Sequence, residues 1–155
     1  GQAIFVHLSF DEKLSSIQSS FLIKQILKKG MLDFQLTDFM FNKAKGFHGP
    51  FKSKLLKNLD FKKIDEQDFF ESIYRIISKE RKDTPLISDE RKQTFIEKIE
   101  LMTKKEADFF VLNKELENEP KKFEHEWSHA LTEYHEFLIL NYSFNNIFCL
   151  LLAYD

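Results

Sequence analysis

The most regular hydrophobic pattern of the chain lies in residues 121–155, which contain no glycine or proline. Apolar or amide side chains recur there at alternating spacings of four and three: Phe123, Trp127, Ala130, Tyr134, Phe137, Asn141, Phe144, Phe148 and Leu151. Such a heptad spacing is typical of a long amphipathic helix. We therefore predict one continuous C-terminal helix. The alternative is a helix to about Glu136, followed by a hairpin that turns at Asn145-Asn146.

Helical spacing and helix-start residues also occur earlier in the chain. Ser9 and the acidic pair after it indicate a helix that ends at Lys28-Lys29. Asp65 and Ser88 are expected to cap two further helices, and the spacing after Ser88 continues to Phe109. These patterns predict three helices before residue 120.

The segments between these helices are less regular. Residues 3–10 fit a short strand or an extended segment, and residues 31–45 follow no single period, so a helix capped at Thr37 is preferred there. Residues 46–50 predict a loop whose proline opens a short helix. The predicted fold is all-α: residues 1–155 form a single-domain bundle of four or five helices with a long C-terminal helix and a short N-terminal strand.

Composition is consistent with a folded helical domain. Of the 155 residues, 43% are hydrophobic and 15% aromatic, which excludes a disordered chain. Only 4 glycines and 3 prolines occur, too few for the frequent turns of a β-sandwich or barrel. The single cysteine, Cys149, lies in an apolar run and indicates a buried thiol, which suits a cytoplasmic protein. The alternative is secretion with a removed signal peptide. Polar residues interrupt the apolar C-terminal segment, so no membrane span is expected.

Charge is distributed unevenly along the chain. Residues 1–63 contain 11 Lys/Arg and 5 Asp/Glu, and residues 64–155 contain 12 and 20, so charges of +6 and −8 give the net −2. The basic part consists of lysines interleaved with phenylalanines: Lys43, Lys45, Lys52, Lys54, Lys57, Lys62, Lys63, Phe47, Phe51 and Phe61. Such a texture can bind single-stranded nucleic acid. Because no nucleic-acid motif accompanies it, we instead expect solvated lysines over buried phenylalanines and no nucleic-acid partner.

A candidate metal site lies in the predicted C-terminal helix, where His125, Glu126 and His129 form the pattern HExxH. Residues four apart lie above one another on a helix, so the two imidazoles could bind one metal ion. Glu126 would then lie beside the metal-bound water and act as the catalytic base. His48 is the candidate third ligand, and ligand softness favours Zn or Ni.

This constellation resembles parts of known metalloprotein motifs. His135 lies at the third-ligand offset of the metzincin zinc proteases, although Thr132 occupies the position of that family's glycine. One histidine in the first half and a later HxxxH pair is similar to the DinB/YfiT family of four-helix-bundle metalloenzymes. That family commonly has Arg-Gly-Gln after the second histidine of the pair, whereas Ala130 follows here. Both resemblances imply a metal site, and the metzincin pattern implies hydrolysis.

Helix geometry places the histidine pair away from the apolar stripe. At 100° per residue, Trp127 and Tyr134 lie within about 40° of Phe123, whereas His125 and His129 lie at roughly 200° and 240°. The pair would therefore face solvent rather than the bundle interior, where a bundle metal site is built. This arrangement favours a solvated helix face with no bound cofactor.

Two hypotheses of function follow from these patterns. In the first, the chain acts by association, as a homodimer or with a protein partner, through a buried face of the last helix: Phe137, Phe144, Phe148 and Leu151. In the second, it is a mononuclear metal-binding bundle protein, and a hydrolase, that uses His125, Glu126 and His129. The chain is an enzyme only under the second hypothesis.

Overall fold

The computed structural model describes residues 1–11, 13–14, 17–37, 40–82, 85–104, 106–114, 116 and 131–154. Its helices are α1 (Ser19–Lys29), α2 (Glu66–Ser78) and α3 (Asp89–Thr103). Its strands are β1 (Gln2–Ser9), β2 (Gln35–Thr37), β3 (Met40–Asn42), β4 (Phe47–His48), β5 (Phe51–Lys52), β6 (Phe61–Ile64), β7 (Ala107–Leu112), β8 (Glu133–Asn141) and β9 (Asn146–Tyr154). Two 3₁₀ turns, Ser53–Leu55 and Asn58–Asp60, lie between β5 and β6. The prediction of an all-α helical bundle is therefore wrong, because the described part of the chain mixes helix and strand in about equal amounts.

Five of the strands form one antiparallel sheet in the order β1-β9-β8-β7-β6. The central pair, β8 and β9, places Glu133 opposite Tyr154 and Asn141 opposite Asn146. β1 pairs with β9, with Gln2 opposite Ala153, so the two ends of the described chain lie side by side. Two small antiparallel pairs, β2-β3 and β4-β5, form separate sheets that are not hydrogen-bonded to the five-stranded one.

A hydrophobic layer covers each face of the sheet. Because side chains alternate along a strand, Leu138 and Leu140 of β8 lie on one face, and Phe137 and Ile139 lie on the other. The first face packs against α1 and the irregular segment of residues 31–56. The second face packs against α2 and α3. The sheet is thus the middle of three layers.

This burial on both faces explains why the predicted C-terminal helix is wrong. A strand covered on both faces is apolar at nearly every position, and periodicity alone does not distinguish such a run from a buried helix. The predicted association face does not exist as a surface, because Phe137 and Phe148 lie on one side of the sheet and Leu151 on the other. Phe144 lies in the turn, 48% exposed.

The alternative hairpin was nearly correct for the turn and wrong for residues 133–136, and the part of its helix before residue 131 lies outside the described residues. β8 already begins at Glu133, and the chain turns over residues 142–145. Asn145 has a φ of 59°, a conformation that asparagine tolerates better than most residues. Its side chain also accepts a hydrogen bond from the Leu14 amide at 2.7 Å and donates one to the Phe10 carbonyl at 2.6 Å. The turn therefore holds the segment that follows β1.

The capping residues predicted for α2 and α3 are confirmed. The Asp65 carboxylate accepts a hydrogen bond from the Asp68 amide at 2.7 Å, and the Ser88 hydroxyl accepts one from the Arg91 amide at 3.4 Å. The C-terminus of α1 is also as predicted, since Gly30 has a φ of 62° and ends the helix in a left-handed conformation. None of the helices in the described ranges combines the length and hydropathy that crossing a bilayer requires.

Other predicted boundaries are wrong. α1 begins at Ser19, not next to Ser9, because Ser9 is the last residue of β1. Residues 35–42 contribute β2 and β3 in place of a helix capped at Thr37, and the α3 pattern stops at Thr103 because Phe109 belongs to β7. The short helix expected after residue 50 is replaced by β5 and two 3₁₀ turns. Strands this short carry too few positions for a period to be detected.

We predict that Leu138→Ala lowers the free energy of unfolding by about 2–5 kcal/mol, because it leaves a cavity in the first face of the central strand. The matched control is Leu86→Ala, since Leu86 is 62% exposed and its truncation should change stability by less than about 0.5 kcal/mol. Urea unfolding followed by circular dichroism measures both. Equal effects would contradict the burial of β8.

Candidate functional site

The residues of the HExxH pattern, His125, Glu126 and His129, lie outside the described residues. The metal site proposed there from sequence, with Zn or Ni as the ion, therefore stays a prediction. Within the ranges that the structure describes, no group of three or more His, Cys, Asp or Glu side chains is arranged to hold a metal ion. His48, the candidate third ligand, is described and has a different environment.

His48 is completely buried in β4, and both of its ring nitrogens have protein partners. Nδ1 lies 3.1 Å from the carbonyl oxygen of Leu32. Nε2 lies 2.8 Å from each carboxylate oxygen of Glu136, which is also 0% exposed. Since a carbonyl and a carboxylate both accept hydrogen bonds, the doubly protonated imidazolium satisfies both contacts as a donor.

Glu136 projects from β8 into the first face of the sheet and accepts further hydrogen bonds there. The Tyr134 hydroxyl donates to Oε2 at 2.7 Å, and the Cys149 thiol donates to Oε1 at 3.4 Å. We call His48, Tyr134, Glu136 and Cys149 the core polar cluster. Its donors and acceptors match one another, which is the condition under which buried polar groups are tolerated.

Burial and the Glu136 charge together shift the pKa values of the cluster. Burial alone would lower the pKa of His48, but the attraction and hydrogen bonds of Glu136, with the bond to Leu32, raise it above its ordinary value. Burial is the main cause that raises the pKa of Tyr134 well above its usual range, and the nearby Glu136 charge adds to it. The same causes raise the pKa of the Cys149 thiol. The thiol is therefore held protonated and is a poor nucleophile.

The core polar cluster positions β4 rather than binding a ligand. A fully buried His48–Glu136 pair offers no approach to a substrate. It does join the β4 segment to the centre of the sheet across 88 residues of chain. Gly49, the next residue along the chain, lies against Tyr134 of the same cluster. A Cβ at position 49 would lie 2.5 Å from the Tyr134 hydroxyl oxygen.

The segment held by the cluster leads directly to an open cleft. Asp33 Oδ2 accepts a hydrogen bond from the Gly46 amide and Oδ1 accepts one from the Ser53 hydroxyl, both at 2.7 Å. The Ser53 amide donates to the Gly46 carbonyl at 3.0 Å. These bonds close a loop between residues 46 and 53, and the buried His48 is part of the same loop. The core polar cluster therefore fixes one wall of the cleft.

The cleft has a volume of about 950 Å³ and is strongly basic. Seven lysines from three separate segments line it: Lys24, Lys28, Lys29, Lys43, Lys45, Lys54 and Lys57. Its apolar lining includes Leu27 and Leu56, and Asp33 is the only acidic residue among the described residues that line it. All seven lysines are exposed. We call this site the lysine cleft.

The lysine charges are not neutralised within the described part of the protein. None of the seven forms an ion pair with a described carboxylate. The carboxylate of Asp33, the acidic residue in the described lining, already accepts from Gly46 and Ser53. Like charges around one concavity raise the local positive potential and attract anions. The lysine cleft is therefore the candidate functional site.

Comparisons with known proteins add no functional assignment. No protein-family model, no curated protein and no solved structure matches this chain. A fold alone does not determine function, so the function has to be argued from the side chains of the site.

The basic segment recognised in the sequence contributes part of the lysine cleft. Phe51 and Phe61 are buried, as expected, and offer no surface for stacking a base. Lys62 and Lys63 lie on β6 and do not line the cleft. The sequence pattern missed the contribution of α1, because Lys28 and Lys29 were used only to mark the end of the predicted helix.

A second charged cluster lies at the N-terminal end of β8, three residues before Glu136. Glu133 accepts hydrogen bonds from Arg81 and Lys79, and Arg81 also lies 3.4 Å from the centre of the Tyr154 ring. Burial alone would raise the pKa of Glu133, but these bonds and one from His135 lower it to about 2. His135, which occupies the metzincin third-ligand offset, is thus paired with Glu133 at 3.3 Å. Arg81 also donates to the Ile76 carbonyl, so this cluster holds the end of α2.

We predict that Glu136→Gln reverses the pH dependence that His48 contributes to stability. In the wild type the folded pKa of His48 lies above the unfolded value, so this stability is fully present below about pH 6.5 and is lost as the pH rises through the folded value. The variant removes the attraction and keeps the burial, so the pKa of His48 should fall below its ordinary value. Its contribution is then lost as the pH falls.

Urea unfolding between about pH 5 and 8 and imidazole NMR titration measure this change. The variant should also be roughly 3–5 kcal/mol less stable near pH 5, because one partner of a buried pair is removed. His7→Gln is the control, since it removes an exposed imidazole and leaves the His48–Glu136 pair intact. A Glu136→Gln profile parallel to the wild type would contradict the buried ion pair.

Proposed function

We propose that this chain acts by binding, and that the lysine cleft takes a phosphate-rich polyanion. The observation that carries the proposal is the set of seven exposed lysines around one concavity, none of them paired with a described carboxylate. A bound polyanion would relieve the repulsion among these ammonium groups. Each phosphate oxygen accepts a charge-assisted hydrogen bond, which is stronger than one between neutral groups.

The composition of the cleft supports a ligand with several phosphates rather than one carboxylate. Lysine provides a mobile point charge, and arginine provides a planar fork that matches one carboxylate or phosphate in fixed geometry. The described lining contains lysines and no arginine. Its volume of about 950 Å³ also lies at the upper end of the range of small-molecule sites, roughly 300–1,000 Å³.

This proposal keeps the hypothesis that the chain acts by association, but it assigns the association to a different surface of the protein. The heptad face suggested by the sequence is divided between two sides of the sheet and is not available to a partner. The lysine cleft is open, and its lining charge selects the chemistry of what it binds. The partner class proposed here is therefore anionic.

We predict that the triple variant Lys28→Gln/Lys45→Gln/Lys54→Gln loses affinity for inorganic tripolyphosphate. Three exposed charge contacts of about 0.5–1 kcal/mol each correspond to a loss of roughly tenfold to a hundredfold. Isothermal titration calorimetry at low ionic strength measures the dissociation constant. Added salt should weaken wild-type binding, because it screens the exposed ammonium groups.

The control variant is Lys62→Gln/Lys82→Gln/Lys98→Gln, which changes the net charge equally at exposed lysines away from the cleft. It should retain affinity within about twofold, apart from weak long-range screening. Equal losses in both triple variants would show that net charge, not the lysine cleft, determines binding. No binding by the wild type would refute the proposal directly.

A further inference from the structure

Two large apolar side chains project into solvent beside the lysine cleft. Leu59 is 84% exposed, in the turn Asn58–Asp60, and it lines the cleft. Phe21 is 54% exposed on α1, three and seven positions before Lys24 and Lys28, so it shares their helix face. α1 packs against the turn that carries Leu59. One continuous surface therefore combines exposed apolar side chains with lysines.

Leu59 is held in its exposed position by hydrogen bonds on both sides. The Lys57 amide donates to the Asp60 carboxylate at 2.7 Å, and the Asp60 amide donates to the Lys57 carbonyl at 3.0 Å. The Asn113 amide also donates to the Asp60 carbonyl at 2.7 Å, which joins the turn to the end of β7. A leucine at the tip of a turn fixed in this way is presented to solvent rather than left there by a loose chain.

We propose that this surface binds the face of an anionic phospholipid membrane, with Leu59 and Phe21 entering the interface and the cleft lysines contacting lipid phosphates. The inference rests on the proposed function and names its partner. Lysines combined with exposed leucine and phenylalanine are the composition of interfacial membrane-binding surfaces. Lysine stems can also extend along apolar surface while the ammonium group reaches the headgroups.

The surface presents Phe21 beside the cleft but no aromatic side chain in the described cleft lining, which favours a membrane over single-stranded nucleic acid. Proteins that bind single strands stack successive bases on aromatic side chains. The described lining of the cleft is free of aromatic residues, and Phe51 and Phe61 nearby are buried. A strand of nucleic acid would contact the lysines and leave the exposure of Leu59 unexplained.

The charge distribution of the whole chain adds a second argument. Residues 64–155 carry a net −8, and every residue that lines the cleft lies in residues 1–63, which carry +6. An anionic surface attracts the basic part and repels the acidic part, so the field orients the lysine cleft toward the membrane on approach. The charge distribution and the exposed side chains of Leu59 and Phe21 thus indicate the same face of the molecule as the one that binds the membrane.

The test measures vesicle binding by the full chain and by two leucine variants. The probes are vesicles of phosphatidylcholine alone and vesicles that also contain phosphatidylserine, in a sedimentation assay. Wild type should bind only the phosphatidylserine vesicles. Leu59→Ser should lower the partition coefficient about tenfold. Leu86→Ser, a matched change at another exposed leucine, should bind as wild type does.

Each of the following outcomes contradicts the membrane proposal, and the last one also contradicts the polyanion proposal. If tripolyphosphate binds in the cleft but phosphatidylserine vesicles do not, the membrane proposal is wrong and the polyanion site remains. If Leu59→Ser and Leu86→Ser bind vesicles equally, Leu59 does not enter the interface and the proposal is again wrong. If a single-stranded oligonucleotide displaces the vesicles and binds Leu59→Ser as tightly as wild type, the partner is nucleic acid. If no anion binds, both proposals fail.

Discussion

The ion pair between His48 and Glu136 connects the irregular first half of the chain to the sheet built largely from the second half. Each charge is completely buried away from bulk solvent, so each depends on the other. Tyr134 and Cys149 complete the donors around the carboxylate, and the Leu32 carbonyl accepts from the second imidazole nitrogen. Because the loop of residues 46–53 is attached to this pair, the position of one wall of the lysine cleft depends on it.

Local chemistry made α2 and α3 predictable, and two-sided burial made β8 and β9 unpredictable. Asp65 and Ser88 act on amides three residues away, so their capping role is visible in a short stretch of sequence. The strands are specified instead by the hydrophobic layers that cover both faces of the sheet, and these layers come from distant parts of the chain. Once both faces of β8 and β9 are covered, alternation disappears, and the heptad spacing from Tyr134 to Leu151 arises without a helix.

The lysine cleft was only half predictable for a similar reason. Lys43, Lys45, Lys54 and Lys57 form a basic segment in the sequence, but Lys24 and Lys28 join them only because α1 packs against the turn at Asn58–Asp60. The partner of His48 had one sequence cue. Glu136 is an acid directly before the apolar residues 137–140 of β8, and acids are almost never fully buried unless paired. No sequence pattern identified His48 as the partner of Glu136, because the two residues are 88 positions apart.

The neighbouring positions of β1 and β9 have a consequence for how the chain is made. β1 finds its only described neighbour in a strand that begins at Asn146. At ordinary translation rates of about 5–20 residues per second, residues 2–9 leave the ribosome roughly 7–30 s before their partner exists. Closing so long a loop is also slow compared with forming local helices. During that interval the nascent β1 has an unpaired edge with apolar side chains such as Phe5, so this is the stage at which the polypeptide most needs protection from aggregation.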